Sequence, residues 1–481
     1  MKTTPQFLVT VFDALRPDMV TPELTPNLCR FISEGCLFRN SRAVFPTSTY
    51  TNAASLATGA TVSRHGIIGN RYFDPNVFTD RLFQPGRGDH IDAGQAAYGG
   101  RLYTAPSIGE LVTEAGFSAA AITSGNLGTA RPFDPKAPTY GRVNLALNEW
   151  VASAPPAAAR LLIERFGEIP ATGRPDFARI ERQTDILLDF IYPEYEPDVA
   201  LVWFTDPDQT YHYLGINSEE SLQAIRHVDA QFGRILEWWR SSDLAERLQI
   251  IAVSDHGHLT TGKRIDVNRE AAAAGLKIGD HFIDGVDYAG YTSYSGSVRV
   301  RDGDQGLRRA LVEWLSDRPW CGIILTGGGD GVEGGVPGTF DFALMHMDHQ
   351  RTPDVSYVMR NDGGRCYFNG DYPEGGGTHG GLHPDELNNL LAVQGSLFKS
   401  GHVSDLAAGI IDVAPTILAA IGVPRPVSMQ GRVLAEGLAD SYSEPPQAIA
   451  TVRTVRRGSI TQHLRYTELG GTRYLDRGWV E

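Results

Sequence analysis

Short runs of apolar side chains recur along the chain, and stretches with apolar positions three and four apart separate them. The runs read as buried strands and the spaced stretches as helices, because side chains alternate across a strand but return to one helix face about every 3.6 residues. Strands are predicted at Phe7–Phe12, Ala119–Thr123, Asp198–Phe204, Leu248–Val253 and Leu390–Val393. Helices are predicted from Thr25-Pro26 to about Glu34, through Asp185–Ile191, and over Ser218–Trp239. In the last of these, Leu222, Ile225, Val228, Phe232 and Ile235 form one stripe. A small-residue helix is expected from Ala53 to Thr58, and another over Ala407–Ile421. Strands alternating with helices give an α/β fold, a mostly parallel central sheet between helical layers.

The texture changes between about Arg264 and Arg365, where glycine runs appear. Val298–Arg301 alternates like a strand, and Gln305–Leu315 repeats like a helix that ends near Trp320. The expected division is a core of residues 1–263 and 366–481 with an inserted, cap-like subdomain over 264–365. Beyond it, Ser459–Tyr466 and Gly471–Leu475 read as hairpin pieces.

Composition narrows the partners. The 481 residues carry a net charge of −14, which argues against a basic nucleic-acid surface, so no stable nucleic-acid complex is expected. An anionic substrate stays open, because bound metal ions reverse a local field. Cys29, Cys36, Cys321 and Cys366 form no CxxC pair. Cys29 and Cys36 stand two helical turns apart and read as small packing residues, which suits a reducing compartment. Met-Lys-Thr-Thr-Pro leads directly into the first apolar run, leaving no room for an export signal, and no run is long enough to span a bilayer. The expected location is cytoplasmic, away from membranes. Monomer and homodimer both stay open.

In parallel sheets ligands bind beyond the carboxyl ends of the strands, where Asp13, Asp206, Asp208 and Asp255 fall. One such Asp ordinarily caps a helix or a turn. Asp208 and His212, four apart, share a face if the turn is helical. Asp255-His256-Gly257-His258 ends a buried strand, and packing does not explain the adjacent Asp and His. His258 is either a neighbour of the site or a loop histidine. His379 sits in a Gly-rich loop with His383 nearby, and the glycines permit the close backbone approach that favours His379. Ahead of the Ala53–Thr58 helix lies Phe45-Pro46-Thr47-Ser48-Thr49-Tyr50-Thr51-Asn52. A hydroxyl there either caps the helix or, activated by a metal, becomes a nucleophile at a phosphate-accepting helix N-terminus. The inventory divides into Asp208, His212 and His379 for one ion and Asp13, Thr49, Asp255 and His256 for the other. Two zinc ions are expected, with manganese or iron as alternatives.

With these residues in order, the chain resembles the alkaline phosphatase superfamily, in its type I phosphodiesterase/nucleotide pyrophosphatase branch. The segment Phe45–Asn52 is similar to the family's nucleophile segment, as are Leu56-Ala57-Thr58-Gly59, His65-Gly66-Ile67-Ile68-Gly69-Asn70 and the closing His379-Gly380-Gly381-Leu382. The resemblance places the nucleophile on Thr49 and a phosphoryl-binding Asn on Asn52. It implies two zinc ions, a covalent phospho-threonine intermediate and a small phosphate-ester or phosphonate substrate. No Cys-x-Pro-x-Arg segment of the sulfatase kind is present. The lysines of phosphonoacetate hydrolases are missing from Ile122-Thr123-Ser124-Gly125-Asn126-Leu127. The function expected is therefore a two-metal phosphodiesterase. The alternatives are a phosphonate or phosphomonoester hydrolase on the same site, or a non-catalytic binder of a phosphorylated ligand. Near Thr49 the chain offers the neutral Asn52 and no Arg or Lys before Arg64, which favours a diester over a monoester dianion.

Overall fold

The computed structural model describes residues 4–153, 155–440 and 447–481, so the opening residues Met1–Thr3 lie outside it. Six strands, β1 (Gln6–Phe12), β2 (Cys36–Arg42), β3 (Ala119–Thr123), β4 (Asn144–Ala146), β5 (Val199–Phe204) and β6 (Leu248–Val253), share one sheet with Leu391–Gln394 and His402–Gly409. From one edge the order is His402–Gly409, β2, Leu391–Gln394, β6, β1, β5, β3, β4. Every pairing is parallel except those of Leu391–Gln394, which runs against both its neighbours.

The alternation along β1 divides the interior in two. Leu8 and Phe12 pack with Phe232 and Ile235 of the helix Glu219–Ser241 and with Phe31 of the helix Pro26–Glu34. Phe7, Val9 and Val11 face the other way, toward Leu56 of the helix Thr49–Thr58 and Ile417 of the helix Val413–Ala420. Each such Phe, Leu or Ile contributes roughly 1.5–3 kcal/mol by leaving water. Register sets the carboxyl ends level: Phe12 lies beside Phe204, and Val11 beside Val253. One crevice therefore receives the loops that follow β1, β5 and β6.

Two expectations fail. The segment Ala407–Ile421 is not one helix. His402–Gly409 is a strand parallel to β2, and the helix begins only at Val413. Small apolar residues suit either state, and the open edge of β2 selects the strand. Cys29 and Cys36 do not share a helix either. Cys29 lies in Pro26–Glu34, Gly35 ends that helix, and Cys36 starts β2 as a buried residue.

A second, six-stranded sheet is built between Ile278 and Met359 and includes Tyr288–Tyr291, Ser295–Val300 and Val355–Met359. The helix Gln305–Ser316 packs against its strand Cys321–Thr326. Short strands Leu259–Arg264, Arg365–Phe368 and Gly377–Thr378 pair with one another where the chain leaves and rejoins the main sheet. The tail forms three antiparallel strands, Ile449–Arg457, Ile460–Leu469 and Thr472–Val480. It packs on β2 and His402–Gly409 of the main sheet and on Cys321–Thr326 of the second, where Gln462 accepts from Ile324 N.

Candidate active site and metal centre

The level strand ends place three carboxylates around one hydroxyl. Asp13 follows β1, and its Oδ2 accepts from the indole of Trp203 at 2.9 Å. Asp255 follows β6, and its Oδ1 accepts from Ala14 N and His256 N, both at 3.0 Å. The other oxygens, Asp13 Oδ1 and Asp255 Oδ2, are buried without a hydrogen-bond partner. Thr49 opens the helix Thr49–Thr58, and its Oγ1 lies 3.2 Å from His256 Nε2. That same nitrogen is 3.2 Å from Asp255 Oδ2 and 3.8 Å from Asp13 Oδ1.

Three imidazoles are oriented alike. Nδ1 of His256 lies 3.0 Å from Gly257 O, Nδ1 of His212 lies 2.9 Å from Gly377 O, and Nδ1 of His379 lies 2.7 Å from Thr47 O. A carbonyl only accepts, so each ring donates from Nδ1 and directs its Nε2 into the site. His212 Nε2 is 3.4 Å from Asp208 Oδ2, and His379 Nε2 is 3.6 Å from Asp208 Oδ1. His256 and His379 stack at 3.9 Å between ring centres.

The electrostatics are those of a set awaiting cations. Burial, then Asp255 and Asp208, push the Asp13 carboxyl well above its ordinary range. Burial pushes Asp255 up to about 8. Burial would raise Asp208 too, but His212 and His258 overcome it and hold this carboxyl well below the ordinary range. Burial lowers His256 to about 3 and carries His379 well down, so these rings stay neutral. Imidazole nitrogens and carboxyl oxygens aimed at one another fit divalent ions, which would take the place of the protons that the buried carboxyls otherwise keep. Asp13, Asp255 and His256 group around one point, with the Thr49 hydroxyl beside them. Asp208, His256, His258 and His379 group around another, with His212 on the far oxygen of Asp208.

Five of the seven expected ligands, Asp13, Thr49, Asp208, His212 and His379, line a cavity of about 300 Å³, and Asp255 and His256 lie directly behind them. Asp206 stands apart, since its carboxylate accepts from Asp176 N, Thr210 N and the Thr210 hydroxyl. His383 is a helix cap whose Nδ1 accepts from Asp385 N. Asn52 requires a correction. It is fully buried, its Oδ1 accepts from Val44 N, and its Nδ2 faces the carbonyls of Val44, Pro46 and Ser48. No amide hydrogen is left for a phosphoryl oxygen, and Asn52 instead clamps the loop that carries Thr49.

Asn70 was not singled out, and of the two readings open for His258 the structure favours the neighbour of the site. Asn70 lines the cavity and accepts from Tyr50 N at 3.1 Å, and among the described residues nothing engages its Nδ2. Its signal was the segment His65–Asn70, matched as a whole without a role for its last residue. His258 is buried, with Nε2 2.7 Å from Asp208 Oδ1. A Cβ on Gly377 would stand 2.4 Å from the His258 Nδ1, so only glycine lets that strand cross the ring.

The family model for type I phosphodiesterase/nucleotide pyrophosphatase matches residues 7–308. The chain belongs to this family. Among curated members of the type I phosphodiesterases, the chain is 25% identical over 267 residues to the bis(5′-adenosyl)-triphosphatase ENPP4 of Bos taurus, covering 55% of this chain and 50% of that one. It is 24% identical over 280 residues to the venom phosphodiesterase of Macrovipera lebetinus, covering 58% of this chain and 27% of that one. The chain thus spans half or less of the length of these relatives. Human ectonucleotide pyrophosphatase/phosphodiesterase 5 shares the fold, with a TM-score of 0.63, 18% identity and coverage of 90% of this chain and 100% of that one. The murine protein of the same name gives 0.61 at 18% identity, with 88% and 96% covered.

Proposed function

We propose that this family member is a two-zinc phosphodiesterase in which Thr49 is the nucleophile. The observation that carries the reading is the meeting of three Nδ1-anchored imidazoles and three buried carboxylates around one hydroxyl at a helix N-terminus. The proposed ligands are Asp208, His212 and His379 for one ion and Asp13, Thr49, Asp255 and His256 for the other. When bound, the ions would supply Lewis acidity toward phosphoryl oxygens and favour ionisation of the hydroxyl. Thr49 Oγ1 forms a bond to phosphorus as the bond to the leaving oxygen breaks. Water then cleaves the phospho-threonine, releases a monoester and restores the hydroxyl. The helix N-terminus of Thr49–Thr58 receives the phosphoryl oxygens, and Asn70 Nδ2 is the side-chain donor placed to join it. Residues 264–365 form the cap over this cavity, with Tyr291, Ser295 and Ser297 in its wall. A nucleotide fits such a site: a solved murine relative holds AMP.

A diester is preferred to a monoester because, among the described residues, the cavity is lined by no lysine and by only two arginines, Arg71 and Arg87. Of the arginines lining the cavity, Arg87 is paired with Asp89 at 2.8 Å, and Arg71 is exposed at the Tyr291 ring. Parallel kinetics with an aryl phosphodiester and the matching aryl phosphomonoester should give the higher kcat/KM for the diester. Thr49→Ala should abolish nearly all turnover while folding and retaining metal, and Thr47→Ala should lose much less. A clear monoester preference, or a dispensable Thr49, overturns the reading.

A further inference from the structure

Asn70 stands on a stretch without regular structure. Residues 66–71 follow the short helix Val62–His65 and belong to no helix or strand, so side-chain contacts set where the Asn70 amide points. One group of contacts comes from the helix Thr49–Thr58. The Thr51 hydroxyl donates to Ile67 O, and His65, which accepts from Ile67 N on Nδ1, meets the Ser55 hydroxyl with Nε2 at 3.0 Å. The other group comes from the second sheet and the loop before its strand Val355–Met359. Arg351, in that loop, donates from Nη1 to Gly66 O at 3.1 Å and to Leu102 O at 2.6 Å. Arg299, on the strand Ser295–Val300, donates from Nη2 to Arg351 O at 2.7 Å and from Nε to Phe73 O at 3.2 Å. The two arginines thus hold the stretch on both sides of Asn70. The approach at Gly66 is close: a Cβ there would stand 2.7 Å from Arg351 Nη1 and 2.6 Å from His349 Cε1.

Arg351 is fully buried. Its guanidinium lies 3.9 Å from the Tyr98 ring centre, and its Nε lies 3.9 Å from Asp74 Oδ2. Among the described residues, Nε and Nη2 have no hydrogen-bond partner. Burying a guanidinium with two nitrogens unmet is costly, and an apolar side chain of similar size would join the two sheets at less cost. What arginine returns is geometry: one nitrogen ties two loop carbonyls, Gly66 and Leu102, to the second sheet. We propose that Arg351, braced by Arg299, is a positioning residue that holds the Asn70 amide in the cavity. Phosphoryl binding then depends on the second sheet as well as on the strand ends of the first. The inference rests on the phosphodiesterase reading above and adds to it the group that orients its side-chain donor.

A double-mutant cycle tests it, with an aryl phosphodiester as substrate. Arg351→Met should lower kcat about tenfold or more with little change in KM, the mark of an interaction made in the transition state. In the Asn70→Ala background the same substitution should cost less than about twofold, because the amide it orients is gone. Arg299→Met should show the same coupling with a smaller loss, and it carries the test if Arg351→Met does not fold. Losses that multiply in the double variant mark a role in stability alone and overturn the proposal. Wild-type turnover in the folded single variant, or in Asn70→Ala, overturns it as well. Calorimetry with inorganic phosphate on the metal-loaded proteins reads the same coupling without turnover: the arginine variant should bind phosphate more weakly when Asn70 is present and not when it is absent. That coupling in a protein that turns over no diester would sink the phosphodiesterase reading and leave the positioning role. Diester turnover with independent losses would do the reverse.

Discussion

Three imidazoles of the centre, His212, His256 and His379, commit one nitrogen to a backbone carbonyl, and that single bond decides which nitrogen the ring directs into the site. The two asparagines near Thr49 divide the work in a comparable way. Asn52 touches only backbone, so Asn52→Ala should lower unfolding stability by roughly 2–3 kcal/mol, the loss of several buried hydrogen bonds. Asn70→Ala should leave stability within about 1 kcal/mol and lower kcat/KM about 10²-fold or more, because its free amide lines the cavity and is the proposed phosphoryl donor. Denaturant titration and steady-state kinetics on the two variants check both, and a reversal of the two phenotypes would contradict the assignment. Sequence order was enough to nominate Asp13, Thr49, Asp208, His212, Asp255, His256 and His379, because strand-end carboxylates and a helix-start hydroxyl follow from local patterns. It was not enough for Asn52, since spacing cannot tell whether an amide turns toward the backbone or the cavity.

At the scale of elements, the site is assembled from strand ends and one crossing strand. Gly377–Thr378 passes over His258, takes the His212 proton on the Gly377 carbonyl and leads to His379. Beneath it His258 donates to Asp208 Oδ1 and fixes the orientation of that carboxylate. His258→Met should therefore weaken the ion held by Asp208 by roughly 10–100-fold, the usual effect of losing such a supporting contact. His258→Gln, which keeps an N–H donor, should recover much of the affinity. Competition with a chromogenic chelator measures this, and equal affinities in wild type and His258→Met would remove His258 from the site. These long-range contacts are what local pattern conceals. The same holds for β2, whose polar Arg39 and Asn40 interrupt its apolar run, and for His402–Gly409, a strand only because β2 is there.

Over the whole molecule, three buried acids converge on a point that the fold cannot neutralise by itself. Without ions the folded state holds protons on Asp13 and on Asp255, raised to about 8, that the unfolded chain releases near pH 4. In that window the folded state binds more protons than the unfolded one, so the stability of the metal-free protein falls as pH rises. Bound cations remove the penalty. The difference in Tm between metal-loaded and chelator-treated protein should thus widen from about pH 5 to about pH 8, and scanning fluorimetry at both values tests it. A difference that stays constant or narrows would contradict the proposed ligand set. The sheet architecture was legible because apolar runs of strand length alternate with helical stripes. The reversed strand was legible as a strand but not in its direction, which depends on partners far away in sequence.

That reversed strand has a consequence for how the chain reaches its native state. Leu391–Gln394 sits between β6 and β2, holding together strands made long before it. During synthesis β1, β3, β5 and β6 can pair as they emerge, but β2 must wait for residues more than three hundred positions later. Until then one edge of β6 is open, with Ile250, Ile251 and Val253 along it. The main sheet is therefore a late-closing structure, and an incomplete chain would present a sticky strand edge for neighbouring chains to occupy.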